Sequence, residues 1–216
     1  MRKKTMKQKH NAIKKTVLLG IVSSLLMGAT ASAETYFSIK DGKLERPTGY
    51  REWVYVGTPL TPNDMNNGKA NFPEFHSVYI DPVSWAHWKK TGEFPEGTIM
   101  IKEMTSVGSK TATSGNGYFM GEFAGLEASI KSKKYFPKEP GNWAYFSFST
   151  ADHKTLTKET APQAAAACAA CHTAAAADDM VFTQYYPVLR IGKGKGEEAA
   201  GGKNDNLVPA PYPDLK

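Results

Sequence analysis

The sequence predicts an α+β fold: a predominantly antiparallel β-sheet domain with a few helices, the last of them near the C-terminus. Three observations carry that reading. Aromatic and β-branched segments recur between turn signals from residue 50 to residue 148, a single helical segment interrupts them, and an alanine-rich stretch of strong helix propensity follows at 161–177. Strands grouped together and then a helix, without strand–helix alternation, argue for an antiparallel sheet.

Residues 1–33 stand apart from this domain. Arg2, Lys3, Lys4, Lys7, Lys9, Lys14 and Lys15 form a basic start without an acid, followed by an apolar run at 17–27 and by Ala31-Ser32-Ala33. This is the pattern of a secretory signal peptide cleaved after Ala33, which implies a periplasmic protein with no stable membrane insertion after cleavage. The apolar run is short for a bilayer span, although an uncleaved anchor is the alternative. Seven of the 27 Lys and Arg but none of the 21 Asp and Glu lie in this leader, so the remaining 183 residues carry a net charge of −1. The basic character of the full chain therefore does not extend to the mature domain, and nothing points to a nucleic-acid surface. A chain of that size makes one domain, expected over 34–190, with a Gly-, Lys- and Glu-rich tail at 191–216 that reads as disordered.

Residues 50–56 read as the first strand, with a helix running into a strand as the alternative, and Asn66-Asn67-Gly68 as a turn in the loop that follows. Residues 75–80 read as the second strand. Asp81-Pro82 is an N-cap followed by proline at the first helical position, Gly92 closes that helix, and Trp85 and Trp88 share its core-facing side. Residues 98–106 and 118–130 are strands joined by a reversal at Ser114-Gly115-Asn116-Gly117. Residues 143–148 are apolar on both faces, which suggests a central strand. The apolar segment 180–189 is expected to pack back on whatever the 161–177 helix carries.

That helix carries Cys168-Ala169-Ala170-Cys171-His172, and these are the only two cysteines in the chain. C-x-x-C-H is the attachment signal for c-type haem, in which the thiols add to the vinyl groups and the imidazole ligates the iron. One covalently bound haem c is therefore expected on the C-terminal helix, through Cys168, Cys171 and His172. A redox pair or half of a zinc site are the competing readings, and zinc would need two more ligands from His76, His87 or His153. The late position of the motif does not suit the small cytochromes c, which open on it. The strands upstream do not suit a four-helix cytochrome c′. Only Met180 follows as a methionine candidate for a sixth ligand.

Beyond the motif, the chain resembles the cytochrome P460 family, which includes the β-rich cytochromes c′ (cytochrome c′-beta). The resemblance is carried by Tyr50-Arg51-Glu52-Trp53-Val54, Val78-Tyr79-Ile80-Asp81-Pro82, Lys90-Thr91-Gly92-Glu93-Phe94, Ser114-Gly115-Asn116-Gly117-Tyr118-Phe119-Met120-Gly121, Gly141-Asn142-Trp143-Ala144 and Tyr185-Tyr186-Pro187-Val188-Leu189-Arg190. It implies a periplasmic, homodimeric, mono-haem protein with five-coordinate iron. One branch oxidises hydroxylamine, with nitrous oxide or nitric oxide as product, and has a lysine bonded to the haem edge. The other branch lacks that bond and binds nitric oxide or carbon monoxide without turnover. The first also implies a soluble electron-acceptor protein as partner.

Two residues bear on the branch. Alternation puts Lys102 on one strand face with Met100 and Met104, which suits either an edge lysine with its head in water or an amine with a chemical task. By resemblance it matches the cross-linking lysine. Glu127 falls by alternation on the face of Phe119 and Phe123 if no bulge intervenes. It reads as an exposed strand-end carboxylate or, by resemblance, as the distal carboxylate that takes protons from hydroxylamine. Phe72 and Phe75 read as core aromatics, with a place on the distal wall as the alternative. His76 and His87 read as packing or surface residues.

Overall fold

Residues 36–153 and 155–191 are described by a computed structural model of two antiparallel sheets and three short α-helices. The expected leader at 1–33 and the tail beyond 191 lie outside the described residues. Among those described, no helix is long and apolar enough to cross a membrane.

The chain opens with the hairpin of β1 (Ile39–Lys40) and β2 (Lys43–Glu45), followed by β3 (Val54–Gly57) and β4 (Phe75–Ile80). Helix α1 (Pro82–Thr91) leads to two long strands, β5 (Ile99–Ala112) and β6 (Gly115–Lys131), and to the shorter β7 (Trp143–Ser147). β8 (Glu159–Thr160) pairs with β2, and α2 (Ala169–Ala175) and α3 (Pro187–Ile191) complete the described chain. The main sheet is a meander in the order β3-β4-β5-β6-β7, and the small sheet runs β1-β2-β8.

Period-two alternation gives the main sheet two apolar faces. Ile99, Ile101, Leu126, Ala128, Ile130, Ala144 and Phe146 bury one face in a core shared with Leu44 of the small sheet and Tyr50. Met100, Trp143 and Tyr145 take the other face, with Val78 and Ile80, and pack with Trp88, Ala169, Val181 and Leu189. The second face is the one that meets the C-terminal segment, so the site lies there.

Helix α1 forms as its punctuation predicts. Asp81 is fully buried and accepts from the Ser84 N–H at 2.8 Å and from the Ile99 N–H at 3.1 Å, which clamps the helix start to β5. Gly92, at φ 74°, closes the last turn through its N–H to the Trp88 carbonyl. Trp88 stacks on Phe94 at 4.1 Å and donates its indole N–H to the Leu189 carbonyl at 2.7 Å, which ties α1 to α3.

Three expectations need correction. Residues 50–52 form a 3-10 turn that runs into the strand at Val54, the alternative reading of that segment, because Tyr50 and Arg51 both turn their side chains onto Glu103. The apolar strand β7 is not central but last in its sheet. Both its faces are apolar because one meets the small-sheet core and the other the C-terminal segment, and its open edge is capped where the Gln163 N–H donates to the Tyr145 carbonyl at 2.7 Å. The same bond explains the third. Segment 161–177 is helical only over the 7 residues of α2, since its first part runs along the β7 edge, and tertiary pairing outweighs alanine propensity.

Candidate functional site

Between the second sheet face and the C-terminal segment lies a cavity of about 570 Å³, and Cys168, Cys171, His172, Lys102 and Glu127 all line it. The structure thus brings together all five residues singled out in the sequence.

Cys168 occupies the N-cap position of α2, with Cys171 and His172 three and four residues on. Those offsets return to one helix face after a turn, so the C-x-x-C-H spacing presents two thiols and an imidazole together. Both thiols are free. Burial pushes the Cys168 thiol pKa up.

His172 is held from three sides. Tyr145 and Phe182 flank its ring at centroid distances of 4.5 and 4.7 Å, and Nδ1 donates to the Met180 carbonyl at 2.6 Å. With the proton on Nδ1, Nε2 carries the lone pair that a metal needs. Burial holds the imidazole pKa below its ordinary value against the pull of that carbonyl, which favours the neutral form. The carbonyl is aimed by a tight reversal at Asp178–Val181, whose central residues Asp179 and Met180 both have positive φ, 43° and 65°. Two left-handed non-glycine residues in sequence are costly, and here they deliver the His172 partner. The Met180 sulfur contacts Thr173 on α2 at 3.5 Å. Met180 therefore sits on the His172 side, which removes it as a ligand facing His172 across an iron.

Lys102 and Glu127 are directly opposed in the β5–β6 pairing, and Lys102 Nζ lies 2.5 Å from Glu127 Oε2. Val78 and Ser147 flank them on the outer strands of the same row. The alternation argument for Glu127 through Phe119 and Phe123 does not hold. Met104 pairs with Gly125 and Thr105 with Phe123, so Ala124 is an extra residue that shifts the register between them. It is the direct pairing with Lys102 that places Glu127.

Phe72 also lines the cavity, with Lys102 Nζ 4.9 Å above its ring, whereas Phe75 is buried away from it. His87 is exposed. His76, expected in packing or at the surface, packs edge to face on Phe72 in the cavity wall, and burial lowers its pKa to about 4. The signal was in the sequence, because His76 is in phase with Val78 on β4. Reading it required the β4–β5 register, which pairs Val78 with Lys102.

The donor set fits a c-type haem: two thiols and a neutral imidazole on one helix face, opening on a largely apolar cavity. Among the described residues no group of three or more His, Cys, Asp or Glu is placed to hold a metal ion, so the two cysteines lack the company a zinc site requires. The chain matches the family model described as Cytochrome P460 over residues 47–183, a span that contains all five site residues. No curated protein matches it. With a motif, a cavity and a family match that agree over most of the described domain, the chain belongs to the cytochrome P460 family and is a mono-haem c-type cytochrome with one covalently bound haem c.

Proposed function

We propose that this cytochrome oxidises hydroxylamine, with nitrous oxide or nitric oxide as product, in the periplasm and as a homodimer that passes electrons to a soluble acceptor protein. The observation that carries the reading is the Lys102–Glu127 pair at 2.5 Å on the cavity wall shared with the C-x-x-C-H motif. The haem, when bound, supplies the iron at which a small nitrogen compound is oxidised. Cys168 and Cys171 would hold it through thioether bonds and His172 would be its protein ligand, kept neutral by burial and oriented by the Met180 carbonyl. Glu127 takes protons that hydroxylamine sheds. Lys102 orients Glu127 while the two are paired. Lys102 would also be the residue that holds the haem edge, and a lysine engaged there would no longer carry the ammonium charge that pairs with Glu127, which would leave the carboxylate as the base of the cavity.

The second reading is a nitric oxide-binding protein without turnover, in which Lys102 stays paired with Glu127. Mass spectrometry of haem peptides from the mature protein, with anaerobic hydroxylamine turnover, separates the two. The first reading expects a Lys102-linked haem peptide, a red-shifted ferrous Soret band and turnover. It also expects Lys102→Leu to keep the thioether-bound haem while losing the link and most turnover, and Glu127→Ala to slow oxidation with the spectrum intact. An unlinked haem with an ordinary high-spin spectrum and no turnover leaves the gas-binding reading.

A further inference from the structure

The Met180 carbonyl that accepts from His172 Nδ1 belongs to a reversal with two left-handed non-glycine residues, Asp179 at φ 43° and Met180 at φ 65°. The reversal closes on itself by two bonds, from the Val181 N–H to the Asp178 carbonyl at 2.7 Å and from the Asp178 N–H to the Val181 carbonyl at 3.3 Å. A costly conformation of this kind persists only where its surroundings over-determine it. Here the tie comes from Lys131, at the end of β6. Its Nζ donates to Asp179 Oδ2 at 2.6 Å and to the Phe94 carbonyl at 2.8 Å. The lysine is itself anchored. Its N–H donates to the Thr98 carbonyl at 3.0 Å, its carbonyl accepts from the Gly97 N–H at 2.8 Å, and Phe94 is buried against Trp88. The Lys131 and Asp179 side chains are 18% and 32% exposed, so this pair is better shielded than the ion pairs of the small sheet. Gly141 leaves room for it, since a Cβ there would stand 3.0 Å from Met180 Cγ and 3.5 Å from Asp179 Oδ1.

What the reversal delivers is a hydrogen bond to the imidazole. A bond donated from Nδ1–H makes the opposite ring nitrogen a more basic metal ligand. A more basic ligand favours ferric over ferrous iron, one of the levers by which a protein sets a haem potential. The Tyr145 hydroxyl approaches the same carbonyl only at 3.5 Å, so His172 is the partner its direction serves.

We propose that Lys131 is a positioning residue for the haem ligand: by gripping Asp179 it locks the 178–181 reversal, keeps the Met180 carbonyl on His172 Nδ1 and so holds the haem potential down. Lys131 does not line the cavity, and it acts through Asp179 and the peptide that follows. The inference needs the bound haem alone and not the nitrogen compound that is turned over.

The test is the ferric–ferrous midpoint potential of mature, haem-loaded protein, measured for Lys131→Met and for the double variant Lys131→Met/Asp179→Ala. Losing an outer-shell partner costs a metal ligand about tenfold or more, and here the bond is misdirected rather than deleted. Lys131→Met is therefore expected to shift the equilibrium about three- to tenfold toward ferrous iron, a rise of about 30–60 mV at about 59 mV per tenfold. The sign separates this from charge alone, because removing a cation favours the ferric state and lowers the potential. The double variant removes the pair with no change in net charge, and its potential is expected to stay raised. Exchange of the His172 Nδ1–H proton, followed by NMR, is expected to speed up in both. Asp81→Ala, which loosens the scaffold away from the reversal, is expected to leave both readings at the wild-type values. A potential that is unchanged or lower in Lys131→Met overturns the proposal, and so does unchanged proton exchange. A double variant that returns to the wild-type potential, or an equal rise in Asp81→Ala, overturns it too. Should Lys131→Met fail to load haem, the double variant, which strands no carboxylate, carries the same test.

Discussion

Asp81→Ala is a sharp test of how the scaffold behind the cavity is held. The Asp81 side chain is fully buried and its two oxygens serve different elements, Oδ1 the Ser84 N–H of α1 at 2.8 Å and Oδ2 the Ile99 N–H of β5 at 3.1 Å. Loss of an N-cap costs about 1 kcal/mol. Leaving the buried Ile99 N–H without an acceptor costs about 1–3 kcal/mol more. Against this, burial raises the Asp81 carboxyl pKa, so the wild-type carboxylate carries a desolvation penalty that the alanine variant does not. The net loss is expected at about 2–3 kcal/mol. With a urea slope of roughly 1–3 kcal/mol per molar, the midpoint should fall by about 1–2 M, followed by far-ultraviolet circular dichroism at pH 7. Asp81→Asn should fall between the two, because its one carbonyl oxygen can serve the helix while its amide faces the Ile99 N–H donor to donor. The haem spectrum should not change in either variant. A midpoint shift below about 0.3 M in Asp81→Ala would refute the clamp, and so would an asparagine variant as weak as the alanine one.

Other consequences can be checked alongside. Gly108 and Gly121 face each other across the β5–β6 ribbon, where a Cβ on Gly121 would sit 2.7 Å from the Gly108 Cα, backbone that cannot yield. Gly121→Ala should cost about 1–3 kcal/mol and speed amide exchange in the ribbon, while Gly117→Ala, whose Cβ meets only Phe119 at 3.7 Å, should cost no more than about 1 kcal/mol. Trp88→Phe leaves the Leu189 carbonyl without its donor at 2.7 Å and a gap beside Phe94, a loss of about 2–4 kcal/mol readable by thermal denaturation. His76 titrates near 4 when folded and near 6.5 when unfolded, so the unfolded chain binds the extra proton between those values. Its neutral burial therefore loses stability as pH falls from 6.5 toward 4, by up to about 3 kcal/mol with Lys102 and Glu74 as the charged neighbours. His76→Gln should flatten that part of the stability–pH curve, and an unaltered slope would show that the ring is not buried neutral.

Much of the site is legible in the amino-acid sequence. Cysteines three apart and the adjacent histidine are set by covalent spacing, and one helical turn is enough to bring them to one face. Asp81-Pro82 and Gly92 punctuate α1 for equally local reasons, since the Asp81–Ser84 and Gly92–Trp88 bonds span no more than four residues. Period two places Lys102 with Met100 and Met104 correctly because no bulge falls between them. The same rule fails for Glu127, since the extra residue Ala124 leaves no mark in local hydrophobicity.

Chemistry that depends on neighbours along the chain can thus be read from residue order: the haem motif, the helix caps, the strand faces and the family. Which of those faces meet is a property of the folded molecule alone. Folding joins Lys102 to Glu127 across a strand pair, packs His76 on Phe72 in the cavity wall, aims the Met180 carbonyl at His172 and leaves β7 at the end of its sheet. The reason is register. Alternation fixes a side chain to one of two faces, but its partner is set by how far one strand slides along another and by the few bulges that interrupt the slide. Those are settled by packing over the whole sheet, between residues that are far apart in the chain.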